Sequence, residues 1–115
     1  MKNFIAAVFL AWLLLIWAGV AFANDNQKRI HDHCSSISFF AEISMKLRVT
    51  NVSMAEAFRR ADSLELTKSQ LEVLKMIITT AYAAEHRSTP EGKAQMVADF
   101  RDMMFIECMQ ANGGF

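Results

Sequence analysis

The scarcity of turn-forming residues is the feature that most limits the folds open to this chain. No glycine lies between Gly19 and Gly92, and Pro90 is the only proline. Apolar residues recur at spacings of three and four rather than at alternate positions, which favours α-helices over β-strands. We therefore predict an all-α fold.

Local start and stop signals divide the polar part of the chain into four predicted helices. The first is expected over residues 28–49. The second and third begin at Ser53–Glu56 and Thr67–Gln70, where a hydroxyl and a later Glu or Gln can bond the free N–H groups of the first turn. The fourth follows Thr89–Glu91, which offers an N-cap, a proline at the first helical position and an acidic residue. The residues Asn112-Gly113-Gly114 are expected to end the fourth helix.

Apolar residues at helical spacing define the expected core. The methionines among them are interpreted as flexible core filler, with a methionine-rich partner surface or a metal site as alternatives. The expected core residues are Ile30, Cys34, Ile37, Ala41 and Met45 in the first helix, Met54, Ala57, Phe58 and Ala61 in the second, Leu71, Leu74, Ile78, Ala81 and Tyr82 in the third, and Ala94, Val97, Phe100, Met104 and Cys108 in the fourth.

The N-terminal segment is typical of an export signal. A lysine is followed by an apolar run from Phe4 to Phe22, then by the A-x-A sequence Ala21–Ala23 and an abruptly polar stretch. We predict a signal peptide over residues 1–23 and a mature helical domain over residues 24–115, periplasmic or secreted. The run also approaches the ~20 residues that span a bilayer, so an uncleaved inner-membrane anchor is the alternative.

The only two cysteines, Cys34 and Cys108, are expected near the start of the first helix and the end of the fourth. An even number of cysteines in an exported chain favours a structural disulfide. Antiparallel packing of the two helices would bring the thiols together. We therefore predict a small four-helix bundle that is closed by this bridge and preceded by the signal-peptide helix. Closing so long a loop is worth about 4 kcal/mol in the chain-entropy account.

The first predicted helix is apolar over more than half of its circumference. Phe39, Phe40, Ile43 and Leu47 widen its apolar stripe beyond what one neighbouring helix would cover. Such a helix is either central in the bundle or exposes a patch to a partner. These four residues are the candidate interface, for an envelope protein or for self-association.

Two arginines fall within predicted apolar faces and need an acceptor there. In an antiparallel pair of the first and fourth helices, Arg48 would approach Glu91. Arg101 would lie beside Glu42. We predict two structural ion pairs, with an anion-binding pocket as the alternative.

Charge and motifs exclude or disfavour several functions. The balance of charges leaves no basic excess for nucleic acid. No nucleophile elbow, phosphate loop or carboxylate pair in a forced cleft is present, so no enzyme activity and no cofactor are expected. His31 and His33 are the only candidate metal ligands near the cysteines, but residues two apart on a helix point to different sides. A periplasmic metal carrier therefore ranks third among the functions.

The sequence also resembles a family of small exported helical proteins of bacteria and their phages that carry one cysteine pair and have no established activity. The resemblance covers most of the chain after the signal and implies export and the cysteine pair, but no catalytic residue. At the first loop other members have a glycine turn, whereas this chain has Arg48-Val49-Thr50-Asn51. The matching elements are Cys34, Ala41-Glu42-Ile43-Ser44-Met45-Lys46, Arg48, Asn51-Val52-Ser53-Met54, Ala81-Tyr82, Ser88-Thr89-Pro90-Glu91, Phe100-Arg101-Asp102 and Cys108.

The function expected from these features is a non-catalytic interaction module of inhibitor, immunity or accessory type, acting outside the cytoplasm. The alternative is a small protein anchored in the inner membrane, with a role in the envelope or in phage biology. The length of the apolar N-terminal run motivates that alternative.

Overall fold

The computed structural model describes the backbone of residues 2–115 and the side chains of residues 25–115. The backbone of that part forms four α-helices and no β-strand: α1 Lys2–Val49, α2 Met54–Asp62, α3 Lys68–Ala83 and α4 Pro90–Ala111. The all-α prediction is confirmed. The predicted signal peptide and its cleavage site lie outside the side chains described and stay a prediction. Among residues 25–115, no helical stretch is long and apolar enough to cross a bilayer.

The predicted start of the first helix at residue 28 is wrong, because α1 runs without a break from Lys2. The change from apolar to polar residues near Asn24 therefore marks a change in composition and not a change in backbone conformation. No proline lies in this stretch to interrupt the hydrogen-bond ladder.

Side-chain caps fix the starts of the three shorter helices. Ser53 accepts a hydrogen bond from the Glu56 amide at 3.1 Å, and Thr89 caps α4 through the Gly92 amide at 3.0 Å. At Thr67 the capping box is complete, with reciprocal bonds to Gln70 of 3.2 and 3.0 Å. Only half of the predicted box at Ser53 forms, because the Glu56 carboxylate bonds two arginines of α2 instead.

A left-handed residue ends α1. Asn51 has φ 66°, and its amide donates to the Arg48 carbonyl at 3.0 Å. The Val52 amide donates to the Leu47 carbonyl, also at 3.0 Å. These two bonds form a Schellman motif, in which carbonyls of the last helical turn gain partners. Asparagine tolerates this conformation better than most residues other than glycine.

Replacing Asn51 with alanine will lower the free energy of unfolding by about 1 kcal/mol, because a Cβ without a polar tip is disfavoured at positive φ. Asn51→Gly is the matched control and will keep the wild-type stability or exceed it, since glycine adopts this conformation freely. Urea unfolding followed by circular dichroism measures both changes. Equal stability for the alanine and glycine variants would show that the turn is not held in the left-handed conformation.

The core forms where α1 meets the other helices. α4 packs along α1 and α3 packs against it from a second side, while α2 rests mainly on α3. One buried cluster joins α1, α3 and α4, and a second joins α2 to α3. The first cluster contains Ala41, Met45, Ile77, Ala81, Met96, Phe100 and Met104; the second contains Ala57, Ala61, Leu74 and Ile78.

A disulfide joins Cys34 of α1 to Cys108 of α4, with the two Cα atoms 5.5 Å apart. The fully buried Cys34 lies beside the last turns of α4, so the two helices run antiparallel, as predicted. The four-helix bundle with its disulfide is confirmed. Because disulfides persist in oxidising surroundings, the bridge indicates a non-reducing compartment outside the cytoplasm.

The predicted inner face of α4 is partly wrong. Ala94 is exposed, and Met96, which was not predicted, lies in the core with Phe100. Val97 is half-buried and packs against this core, as expected. In α3 the prediction missed Ile77, which is fully buried beside Ile78.

Candidate interaction groove

An apolar groove with a volume of 510 Å³ lies between α1, α2, the α2–α3 loop and α3. All four residues of the predicted interface line it: Phe39, Phe40, Ile43 and Leu47. The apolar side chains that widen the stripe of α1 therefore face one concave surface. We call this surface the apolar groove.

Small side chains on α2 create the space. Ala57 and Ala61 are the buried residues of α2 and lie at the floor of the groove, together with Leu74 and Ile78 of α3. An alanine fills far less volume than the leucines and isoleucines around it, so α2 covers the floor without filling the gap beside α1. The groove thus results from the residue types that face it.

The rim of the groove exposes large apolar side chains to solvent. Phe39 is 58% exposed and Ile43 is 39% exposed on the α1 side, and Leu64 is 50% exposed on the opposite side. Sequence reasoning missed Leu64 and its neighbour Leu66, since they lie in a loop where helical spacing gives no signal. A usable signal was the presence of two leucines in the otherwise polar connection between α2 and α3.

Few polar groups line the groove. The buried Ser44 hydroxyl donates to the Phe40 carbonyl at 2.7 Å and is therefore already satisfied. The other two polar residues that line the groove are Arg60 and Glu65. Glu65 has no ion-pair partner within residues 25–115. The groove thus offers an apolar surface with one cation and one anion beside it.

Arg60 belongs to a cluster in which two guanidinium groups share one carboxylate. Arg59 donates to both carboxylate oxygens of Glu56, and Arg60 donates to one of them at 3.2 Å. The hydrogen bonds from Arg59 and then from Arg60 lower the pKa of Glu56 from an ordinary value of 4.5 to about 2. The same contact with Glu56 raises the pKa of Arg59. One positive charge in this cluster has no carboxylate of its own.

The Glu56 carboxyl group will titrate near pH 2 in the folded protein. Its pKa is depressed on folding, so the stabilisation that it provides is complete above pH 4.5 and is lost as the pH falls from 4.5 towards 2. Side-chain carbon shifts in an NMR titration give the midpoint. Arg59→Gln will move the midpoint upward, and Lys75→Gln, which removes a cation from the separate Asp62 pair, will not. A wild-type midpoint near 4.5 would contradict the shared-carboxylate geometry.

The predicted ion pair between Arg48 and Glu91 is not present. Arg48 instead donates to the backbone carbonyl of Ala81 at 2.5 Å, and Glu91 is exposed in the first turn of α4. The last carbonyls of a helix lack the usual i+4 partner, and the Ala81 carbonyl accepts only a long bond of 3.4 Å from the Ala84 amide, so the end of α3 supplies the acceptor that Arg48 needs. The Tyr82 hydroxyl makes a second bond of this kind, to the Val52 carbonyl at 2.5 Å. Both bonds tie the end of α1 and its loop to α3.

The predicted pair between Arg101 and Glu42 is also wrong. Arg101 bonds its neighbour Asp102 at 3.0 Å, and Glu42 pairs with Lys46 at 3.1 Å. Both arrangements join residues close in the sequence and lie at the surface, where an ion pair contributes little to stability. Asp102, and to a lesser degree the charge of Glu42, raises the pKa of Arg101.

The two candidate metal ligands are both exposed side chains of α1. His31 meets the ring of Phe105 edge-on, with ring centroids 5.7 Å apart, and His33 borders a separate shallow cleft beside Ile37. Both cysteine sulfurs are in the disulfide. Within residues 25–115 no three His, Cys, Asp or Glu side chains come close enough together to hold a metal ion. Of the candidate sites considered, the apolar groove is the one that supports a function.

No protein-family model matches the sequence, and comparisons with curated proteins and with solved structures find no similar protein. The function of this chain is therefore inferred from its own residues.

Proposed function

We propose that this protein is an exported, non-catalytic binding module, periplasmic or secreted, whose apolar groove holds a segment of another protein of the cell envelope. The exposure of Phe39, Ile43 and Leu64 around one groove is the observation that carries the proposal. A contiguous apolar surface of this kind marks an interaction site on a soluble domain. The A-x-A sequence before residue 24 and the disulfide support export. Membership of the family that the sequence resembles is part of the same proposal.

The free energy gained by burying the exposed apolar side chains of the rim indicates a reversible complex. Complete burial of one large apolar side chain contributes about 1.5–3 kcal/mol, so three that are already half-buried contribute roughly 3 kcal/mol together. Association costs at least ~4 kcal/mol in lost freedom. A stable complex therefore also needs the partner to contact the inner residues of the groove, such as Leu47 and Leu66.

A charge placed in the groove tests this function. Ile43→Lys will abolish the complex that the wild-type protein forms in the envelope, because it replaces an apolar contact by a strongly hydrated ammonium group that resists burial against an apolar partner. Met103→Lys is the matched control, since Met103 on α4 is 42% exposed and does not line the groove. Size-exclusion chromatography of gently solubilised envelopes gives the apparent mass. The proposal fails if the two variants behave alike or if the wild-type protein elutes alone.

The membrane-anchored form is a second candidate, favoured by the length of the apolar run from Phe4 to Phe22. It would place the same groove at the outer face of the inner membrane. The intact mass of the protein in each cell fraction distinguishes the two. Recovery from the soluble envelope fraction without residues 1–23 would reject the anchored form, and a full-length mass in the membrane fraction would support it.

A further inference from the structure

The backbone around the apolar groove restricts the shape of what can bind. Three of its walls are helices, whose N–H and C=O groups are paired within the helix. In the loop wall, the Leu64 and Leu66 amides donate to the carbonyls of Ala61 and Leu64 at 3.1 and 2.9 Å. The Glu65 amide has no backbone partner in this loop, but one free amide is not a strand edge, so an extended peptide could not bind here by adding a strand. A helix needs no such edge, because its own backbone groups are already paired.

The groove is open on one side, which argues against a free hydrocarbon chain. Phe39 of α1 and Leu64 of the α2–α3 loop both line it and are still about half exposed. A hydrocarbon chain lying between them would keep one side in water along its whole length. An amphipathic helix instead buries its apolar stripe and presents polar residues to solvent.

The dimensions fit one short helical segment better than a second globular subunit. The α1 wall from Phe39 to Leu47 advances about 12 Å at the helical rise per residue, which is roughly two turns. The three exposed rim side chains offer roughly 200–300 Å² of apolar surface between them. A standard interface between globular proteins buries about 800 Å² on each partner. The groove therefore suits two or three apolar anchors spaced by one turn.

The charges beside the groove add a polar requirement. Arg60 shares Glu56 with Arg59 and keeps donors that no carboxylate occupies, while Glu65 is an anion without an ion-pair partner in the part of the chain described. Both line the same groove. A segment with one acidic and one basic residue flanking its anchors would complement the two charges.

We propose that the groove receives an amphipathic α-helix of the partner protein, with apolar anchors at i, i+3 or i+4, and i+7, an acidic residue facing Arg60 and a basic residue facing Glu65. This inference rests on the proposed function and specifies the partner's shape and charge. In this complex, Arg60 sets the orientation of the bound helix and the specificity for its sequence.

The test uses the isotopically labelled protein in the form recovered from cells and a synthetic helix of about 18 residues, long enough to be helical alone. Leucines occupy the anchor positions, with one glutamate and one lysine beside them. The control peptide has the same composition with the leucines distributed around the helix. The patterned peptide will shift the NMR signals of Ile43 and Leu64 and bind at least roughly tenfold more tightly than the control, since two or three anchors are lost.

Charge reversal tests the role of Arg60. Arg60→Glu will weaken binding of the patterned peptide about fivefold, and a peptide with lysine in place of its glutamate will restore the affinity. Arg59→Glu is the matched control, because Arg59 bonds the same Glu56 carboxylate but does not line the groove. Circular dichroism of both variants confirms that they are folded.

Four results would overturn the inference: equal binding of the patterned and control peptides, no shift at the groove, equal effects of the two arginine variants, or groove shifts produced by dodecanoate or by raised protein concentration alone. The last two probes would identify a hydrocarbon chain or a second copy as the occupant. If Ile43→Lys loses the envelope complex while the peptide fails, only this inference falls. If Ile43→Lys keeps the complex, the proposed function falls first.

Discussion

Replacing both Cys34 and Cys108 with serine will lower the free energy of unfolding by about 4 kcal/mol. The bridge joins residues separated by 74 positions, so its loss releases nearly the whole described domain in the unfolded state. A small domain has a net stability of only ~5 kcal/mol or somewhat more, so the variant will keep only ~1 kcal/mol and a measurable fraction of it will be unfolded at 37 °C. Urea unfolding of the oxidised protein and the variant, followed by circular dichroism, measures the difference.

Reduction provides the matched control for the cysteine variant. Wild-type protein treated with a reductant and alkylated will show a loss of similar size, because the constraint and not the serine side chain is responsible. Substitution of the exposed Ser36 with alanine will have almost no effect. If the reduced protein kept the unfolding midpoint of the oxidised one, the packing of α1 on α4 would be sufficient by itself and the disulfide would not be the main source of stability.

Ile77→Ala will cost about 3 kcal/mol of the free energy of unfolding. Ile77 is fully buried in the cluster that joins α1, α3 and α4, so its truncation removes apolar contact and leaves a cavity between three helices. Denaturant unfolding with the disulfide intact measures the loss, which will appear as a lower midpoint at an unchanged slope.

The adjacent residue supplies the control. Met76→Ala changes a side chain that is 57% exposed on the same helix, and will cost less than about 0.5 kcal/mol. Similar losses for the two variants would mean that α3 is rotated from its position in this structure. That result would also displace Leu74 and Ile78 from the floor of the groove.

The helices were predictable because their boundaries depend on local interactions. Ser53, Thr67 and Thr89 each cap the helix that follows, and these bonds join residues three apart in the chain. The disulfide was predictable because it follows from export chemistry and from where the helices begin and end. The wide apolar stripe of α1 likewise drew attention to four side chains that lie along one groove: Phe39, Phe40, Ile43 and Leu47.

The contacts between helices could not be predicted from the same signals. Arg48 was assigned to Glu91 because only side chains were considered as acceptors, whereas the carbonyl of Ala81 lies within reach. Which carbonyl Arg48 can reach depends on how α3 packs against α1, and the periodicity of apolar residues in each helix does not determine that packing. The same limit explains why Leu64 was missed as part of the rim.

The disulfide and the apolar groove lie on different sides of α1. The bridge holds α1 to α4, whereas the groove is formed by α1 with α2, the loop and α3. The wall that carries Leu64 is therefore not cross-linked to α1. Because the bridge stabilises the bundle from the α4 side, the groove can keep exposed apolar residues that add little to stability.

Photo-crosslinking in cells tests the central claim, that the apolar groove is the binding surface, most directly. A photoreactive amino acid at position 43 places the reagent in the groove, and the same reagent at position 103 places it at comparable exposure on α4. We predict a discrete crosslinked product from position 43, with its attachment site in a helical segment of one envelope protein, and none from position 103. Equal products from both positions, or none from position 43, would contradict the claim.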